Sequence, residues 1–275
     1  MKPAAFDYVR AGSKREVLQL LAEHGEQARI IAGGQSLMAV LNMRLAQPKL
    51  LIDINHAADL QHLGIQGGRL VVGAAVRQVE LMDRTSLTDE VPLLAQALPW
   101  IGHFQTRNRG TVCGSVAHAD PSAEIPLCLV TLGGTVVLES LKSKRREVAA
   151  AEFFQGVLTT EKRADEMVSE VHFPLREAGA AYRFREIAMR HGDFALVALA
   201  ACIREREVSL GIGGVADRPV QRRLPLGADL APALNAFAWS LGAQGDVHAS
   251  AAYRRQLIRE LGQQLIEGHT HARTR

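Results

Sequence analysis

Two short runs of small residues carry the first chemical signal in this sequence: Ala32-Gly33-Gly34-Gln35-Ser36 and Thr111-Val112-Cys113-Gly114-Ser115. Both combine glycine with a hydroxyl side chain. The first stands directly ahead of Leu37, Val40, Leu41 and Leu45, which recur at helical spacing. Glycine lets successive backbone N–H groups close around an oxyanion, and a helix start adds free donors and partial positive charge. Two such runs facing each other would grip a diphosphate from both sides. A glycine turn ahead of a helix is also ordinary punctuation, so neither run decides the chemistry alone. GxSxG, GKS/T and GxGxxG motifs are all missing. Cys113, Cys128 and Cys202 are far apart and never form a CxxC pair, which argues against a disulfide framework, a zinc ribbon or an iron–sulfur cluster held by this chain. His269 and His271 fall in a polar tail and read as solvated.

The elements that must position these runs follow from patterning. Ser13 and Glu16 form an S-x-x-E capping box ahead of Val17, Leu18, Leu20 and Leu21, and Gly25 is a natural stop. Ala28 to Ala32 reads as a strand, Ser36 stands where it would cap the next helix, and Leu50 to Ile54 reads as a buried strand. Further on, Leu70 to Val76 reads as a strand, and Val79 to Asp83 and Val91 to Trp100 as helices. Ile101 to Gly110 is polar and irregular. Pro121 suits the first position of a helix carrying Ile125, Leu127, Leu129 and Val130. Thr135 to Glu139 and Glu147 to Ala151 read as strands around the basic turn Lys142 to Arg146, a solvated hairpin tip. Met167 to Phe173 is one more strand. After a linker from Leu175 to Ala180, the strands Tyr182 to Ile187, Phe194 to Ile203 and Val208 to Val215 precede helices, above all Ala251 to Ile266.

The 275 residues leave room for two domains at roughly 150 residues each. The pattern divides them at about 1–175 and 176–275, the first splitting again into 1–57 and 58–175. Hydrophobic residues at 47% and charged residues at 22% exclude a disordered chain. A net charge of +3 is too small for a nucleic-acid footprint. The N-terminus has no apolar signal-peptide run, and Phe194 to Ile203 is about half the length that spans a bilayer, so a cytoplasmic protein with no membrane span is expected.

Longer stretches carry a resemblance. AGGQSLMAVLNMRLAQPKLLIDIN (Ala32 to Asn55) resembles the first FAD loop of the flavoprotein, or medium, subunits of molybdenum hydroxylases. This is the family of the carbon monoxide dehydrogenase medium subunit and the FAD domain of xanthine dehydrogenase. RNRGTVCGSVAHADPSAEIPL (Arg107 to Leu127) resembles its second loop, TxGG followed by DPxxExP. FRE with GDFALVALAA (Phe184 to Ala201) and DVHASAAYRRQLIREL (Asp246 to Leu261) resemble the C-terminal domain. The likeness runs through the whole chain in order. It implies an α+β fold: a two-subdomain FAD-binding domain of the PCMH type, not a Rossmann domain, and a C-terminal domain with a three-stranded antiparallel sheet and helices.

The resemblance also implies site residues. Ala32, Gly33, Gly34, Gln35 and Ser36 match the first diphosphate loop, and Thr111, Gly114 and Ser115 the second. Asp120 and Glu124 match acidic positions of which at least one contacts the adenosine ribose in relatives. Ile101 and Val168 match positions near the flavin ring, and Phe194 a position where a tyrosine approaches it. Cys113 departs from the pattern, which has glycine there. Its side chain implies a negative φ, or a Cβ aimed away from the diphosphate, and a packing role, with a redox role beside the flavin as the alternative. No acid–base residue is required of this chain. The implied function is electron transfer: a small partner subunit with two iron–sulfur clusters passes electrons to FAD here, and a large partner subunit holds the molybdenum–pterin centre, in a dimer of heterotrimers. Three scattered cysteines cannot supply the extra cluster of relatives akin to 4-hydroxybenzoyl-CoA reductase. Two other readings stand beside this one: a self-contained flavin oxidoreductase, and a non-catalytic scaffold subunit without FAD.

Overall fold

The computed structural model describes residues 1–273, with side chains through residue 268; the side chains of His269 and His271 lie outside the described residues. The chain begins with a three-stranded parallel sheet in which Leu50–Asp53 runs between Asp7–Arg10 and Ala28–Ile31. Leu50–Asp53 is buried throughout because a parallel central strand is covered on both faces, and its apolar run announced it. Helix Lys14–His24 buries Val17, Leu18 and Leu21. Its capping box is displaced by one residue. Ser13 Oγ accepts from the Glu16 N–H at 3.3 Å, but the Glu16 carboxylate reaches past Ser13 to the Gly12 N–H at 2.8 Å.

A five-stranded antiparallel sheet follows, in the order Leu63–Gln66, Arg69–Gly73, Met167–Pro174, Thr135–Ser140, Lys144–Ala149. The basic turn is not the solvated tip expected from its charge, since Arg145 and Arg146 belong to the returning strand. A β-bulge between Val168 and Glu170 explains where their charges go. The extra residue reverses the alternation, so Glu166 and Val168 face one side and Glu170 the other. Arg146 then meets Glu166 at 2.7 and 2.8 Å, and Arg145 meets Glu170 at 3.1 and 2.9 Å. The Glu170 carboxylate also contacts His172 Nε2 at 2.7 Å. That contact and the Arg145 guanidinium hold its pKa down to about 2.

The third sheet is antiparallel, Ala181–Ala188, Ala195–Ile203, Glu207–Gly213 and Val220–Pro225 in order. It has four strands where three were expected. The fourth, VQRRLP, is a charged edge strand with only Leu224 buried, so it carries no apolar alternation to read. Every residue of Ala195–Ile203 is buried. Ala198, Ala200 and Cys202 join the core shared with the first two sheets, while Val197, Leu199, Ala201 and Ile203 pack with the C-terminal helices Leu230–Ser240 and Ala251–Arg273. Buried Arg254 pins the last helix to this sheet through the carbonyls of Leu196 and Gly214, at 2.5 and 2.9 Å, and through Asp246 at 2.5 Å. Among the described residues no helix is long and apolar enough to cross a membrane.

Two local expectations give way near the second glycine run. Phe104–Arg109 is a helix, illegible in sequence because it buries no residue. Pro121 is not the first helical residue: the helix Glu124–Leu132 starts three positions later, behind Ala123. The Asp120 carboxylate accepts from the Ser122 N–H at 2.8 Å, and this local turn takes up the segment that the helix would otherwise use.

Candidate functional site

The two glycine runs meet. Gly33 lies so close to the two residues that lead into the second run that a Cβ built on it would stand 2.2 Å from the Arg109 carbonyl oxygen and 2.6 Å from Gly110 Cα. Gly34 meets a different demand, with φ at +71° in the left-handed region, while the space around it is ordinary. Ser36 stands at the N-cap of helix Leu37–Asn42, where a capping hydroxyl is expected. Its hydroxyl makes no such bond. Among the described residues, the backbone N–H groups of Gly33, Gly34, Gln35 and Ser36 have no hydrogen-bond partner within the chain. Four consecutive unengaged donors at a glycine turn form an anion cradle.

The second run is a helix start rather than a loop. Thr111 is the N-cap of Val112–His118, and its hydroxyl accepts from the Gly114 N–H at 3.1 Å. The Ser115 N–H is spent on the Thr111 carbonyl at 3.1 Å. The first run therefore offers the free donors, and the second offers the Thr111 and Ser115 hydroxyls together with the field of a helix N-terminus.

Both runs line one cleft of about 1250 Å³. That exceeds the roughly 300–1,000 Å³ of ordinary small-ligand pockets and suits an elongated dinucleotide. All thirteen residues singled out from the sequence line it. Ile101 is 8% exposed and Val168 6%, so both are largely packing residues that show one edge to the cleft. They stand on different walls, Ile101 after the turn Leu98–Trp100 and Val168 on the central strand of the five-stranded sheet. Phe194 is 75% exposed at the mouth. Its loop is docked by stacking of His191 on Trp100, with ring centroids 5.2 Å apart. Asp120 and Glu124 also line the cleft. They differ in character, Asp120 being half-buried and engaged by Ser122, and Glu124 buried.

Burial raises the Glu124 pKa to about 7, and burial with the nearby Glu124 charge raises that of Glu186 to about 8. Both Glu186 carboxyl oxygens lack a hydrogen-bond partner among the described residues. Each of the two carboxyls binds its proton more tightly in the fold than in the unfolded chain. Their contribution to stability is complete below the unfolded carboxyl value and is lost as pH rises through about 7 and about 8. Glu186→Gln should therefore match the parent in thermal melting near pH 5 and exceed it increasingly toward pH 8, roughly as linkage requires. Parallel melting curves over that range would contradict the assignment.

Cys113 behaves as the packing residue expected. It lies in the first turn of Val112–His118, 2% exposed, with Sγ 3.4 Å from the Val72 carbonyl oxygen. Burial pushes its thiol pKa far up, and Cys128 and Cys202 are buried with raised values as well. A thiol reagent should leave all three unmodified in the native chain and modify all three after denaturation. Rapid native labelling of Cys113 would instead mark it as reactive.

Several residues at or behind the cleft carry no signal of their own in the sequence. Behind its wall, Asn55 donates to the Ala32 carbonyl and Arg77 to the Arg109 carbonyl just ahead of the second run, while Gln78 lines the cleft, buried beside Gly110 with Oε1 unpaired among the described residues. Leu158 to Thr160, a turn of the hairpin Phe154–Gly156 with Thr159–Thr160, and Lys162 close another side. Asn55 closes the first resembling stretch without standing out in it; Arg77, Gln78, Leu158 to Thr160 and Lys162 lie outside both resembling stretches and are brought in by tertiary folding.

Comparison with known proteins agrees with this geometry. Residues 4–176 match the family described as the FAD binding domain in molybdopterin dehydrogenase. The 6-hydroxypseudooxynicotine dehydrogenase complex subunit alpha of Paenarthrobacter nicotinovorans is 36% identical over 290 residues, covering 98% of this chain and 96% of the relative. The carbon monoxide dehydrogenase medium chain of Hydrogenophaga pseudoflava is 33% identical over 205 residues, covering 74% of this chain and 71% of its own. The crystal structure of quinoline 2-oxidoreductase from Pseudomonas putida 86 superposes with a TM-score of 0.91 at 34% identity, covering 98% of each chain. The chain belongs to the FAD-binding medium subunits of the multi-subunit molybdenum hydroxylase family. It is an FAD-dependent oxidoreductase subunit.

Proposed function

We propose that this chain is the electron exit of its complex, receiving electrons from an iron–sulfur partner subunit and passing them to an external acceptor through FAD in the cleft. The observation that carries this reading is the meeting of the two glycine runs around four unengaged N–H groups, Gly33 to Ser36. These residues fit a diphosphate: the N–H groups of Gly33, Gly34, Gln35 and Ser36 are unengaged among the described residues, and glycine at position 33 lets the first run close on the Arg109 and Gly110 backbone. Thr111 and Ser115 approach it from the opposite side, and the half-buried Asp120 carboxylate is suited to a ribose diol. Ile101, Val168 and Phe194 offer apolar surface to a flavin ring. The flavin, when bound, accepts electrons singly and releases them in pairs, and the chain supplies position and electrostatics.

The division into an FAD domain at 1–175, with subdomains 1–57 and 58–175, and a C-terminal domain at 176–275 belongs to the same proposal. Partners are a small subunit carrying two iron–sulfur clusters and a large molybdenum–pterin subunit, assembled as a dimer of heterotrimers in the cytoplasm. The test is to purify a tagged copy from its own host and assay its companions, iron, molybdenum and flavin. Copurification of both partners with all three cofactors is expected. An FAD-loaded monomer that oxidises an organic substrate without iron or molybdenum would establish the self-contained flavin enzyme instead.

A further inference from the structure

We propose that Asn55 and Arg77 are positioning residues forming a strut that fixes the spacing of the two glycine runs and so presets the cleft for a diphosphate. The proposal rests on the FAD reading above. The first run follows the edge strand Ala28–Ile31 of the parallel sheet, and the second begins the helix Val112–His118, so they belong to different elements of the fold. Asn55 follows the central parallel strand, and its Nδ2 donates to the Ala32 carbonyl at 2.9 Å. Its Oδ1 accepts from Arg77 Nη2 at 2.5 Å. The other Arg77 nitrogen, Nη1, donates to the Arg109 carbonyl oxygen. That carbonyl is the atom a Cβ on Gly33 would strike first. Arg77 thus holds over Gly33 the very group that requires glycine there.

The orientation of the strut has a chemical consequence. In a trans peptide the carbonyl and the following N–H point in opposite directions. With the Ala32 carbonyl held by Asn55, the Gly33 N–H is turned the other way and left free. Arg77 is also bridged through its backbone to Thr111, so the strut reaches the N-cap of the second run. Asn55 is itself fixed from behind: its N–H and Nδ2 both donate to Asp53 Oδ1, at 2.8 and 2.5 Å, and Tyr8 OH donates to Asp53 Oδ2. Asp53 is buried and Arg77 half-buried, so the bonds of Asn55 to Asp53, Ala32 and Arg77 are partly shielded from water, while the Arg77 bond to Arg109 is exposed.

The experiment measures FAD affinity by flavin fluorescence on deflavinated full-length chain, alongside melting of the flavin-free protein. The variants are Asn55→Ala, Arg77→Met, the double variant and Arg77→Lys. Each of the first two should weaken FAD binding roughly 10- to 100-fold, the cost of a lost charge-assisted hydrogen bond. The double variant should be no weaker than the worse single one, because both remove the same strut. Arg77→Lys keeps the charge but reaches only one partner, so it should fall between the parent and Arg77→Met. Parent-like affinity in the single variants, additive losses, or losses that simply follow the melting temperature across the series would each overturn the strut. Failure of the parent chain to bind FAD would overturn the site reading itself, a distinct outcome read before any variant is compared.

Discussion

Gly33→Val should leave a folded chain that no longer holds FAD. The new Cβ would stand 2.2 Å from the Arg109 carbonyl oxygen, and since that neighbour is backbone, no side-chain rotation relieves the clash. The two runs must separate, and the cradle opens. The damage is confined to the cleft wall, because Gly33 is not part of either hydrophobic core. Flavin absorbance per mole of chain should fall to near zero, with melting of the flavin-free protein little changed. Gly34 makes an informative contrast. An added Cβ there meets only Ile31 and Met38 at 3.4 Å and beyond, but φ is +71°. Gly34→Ala should cost about 1–2 kcal/mol of backbone strain and weaken FAD binding without abolishing it. Full flavin content in Gly33→Val would remove the first run from the site.

Arg146→Ala should be strongly destabilising. Glu166 is wholly buried, and Arg146 supplies both arms of its bidentate partner, at 2.7 and 2.8 Å. The Arg163 N–H at 2.8 Å and the Ser143 hydroxyl at 3.4 Å remain but cannot replace a full charge. Removing one partner of a buried pair strands the other, at a cost of about 3–5 kcal/mol. For a chain of this size that is a fall in melting temperature of roughly 10 °C. The pair holds the Glu166 carboxyl below its ordinary value, so this contribution is present above the unfolded carboxyl pKa and lost as pH falls through the folded one. The deficit of Arg146→Ala should accordingly shrink in acid. A melting temperature within a degree or two of the parent at neutral pH would show that Glu166 finds another partner.

The parts of the molecule legible in sequence are those written in local pattern. Leu50–Asp53 and Ala195–Ile203 announced themselves as apolar runs because both of their faces are covered. The helix beginning at Ser13 was legible from its cap, even though Glu16 in fact reaches Gly12. What stayed hidden depended on partners distant in sequence. Nothing near Arg145 and Arg146 signals the carboxylates Glu170 and Glu166, which a bulge 20 residues and more away turns toward them. Phe104–Arg109 and Val220–Pro225 bury too little to leave a hydrophobic period. In the site, glycine spacing marked both runs, yet it did not distinguish the close approach at Gly33 from the left-handed turn at Gly34. It also gave no hint of Asn55 and Arg77, whose roles arise only when two separate sheets are brought together.

The most direct test of the central claim is a reduction experiment on the assembled complex carrying Gly33→Val. On the proposed route, anaerobic addition of the complex's substrate should still bleach the iron–sulfur absorbance, because the route places those centres upstream of this chain. Turnover with the external acceptor should fall to background, because the exit is gone. Acceptor turnover at the parental rate in a flavin-free complex would contradict the account and place the exit elsewhere.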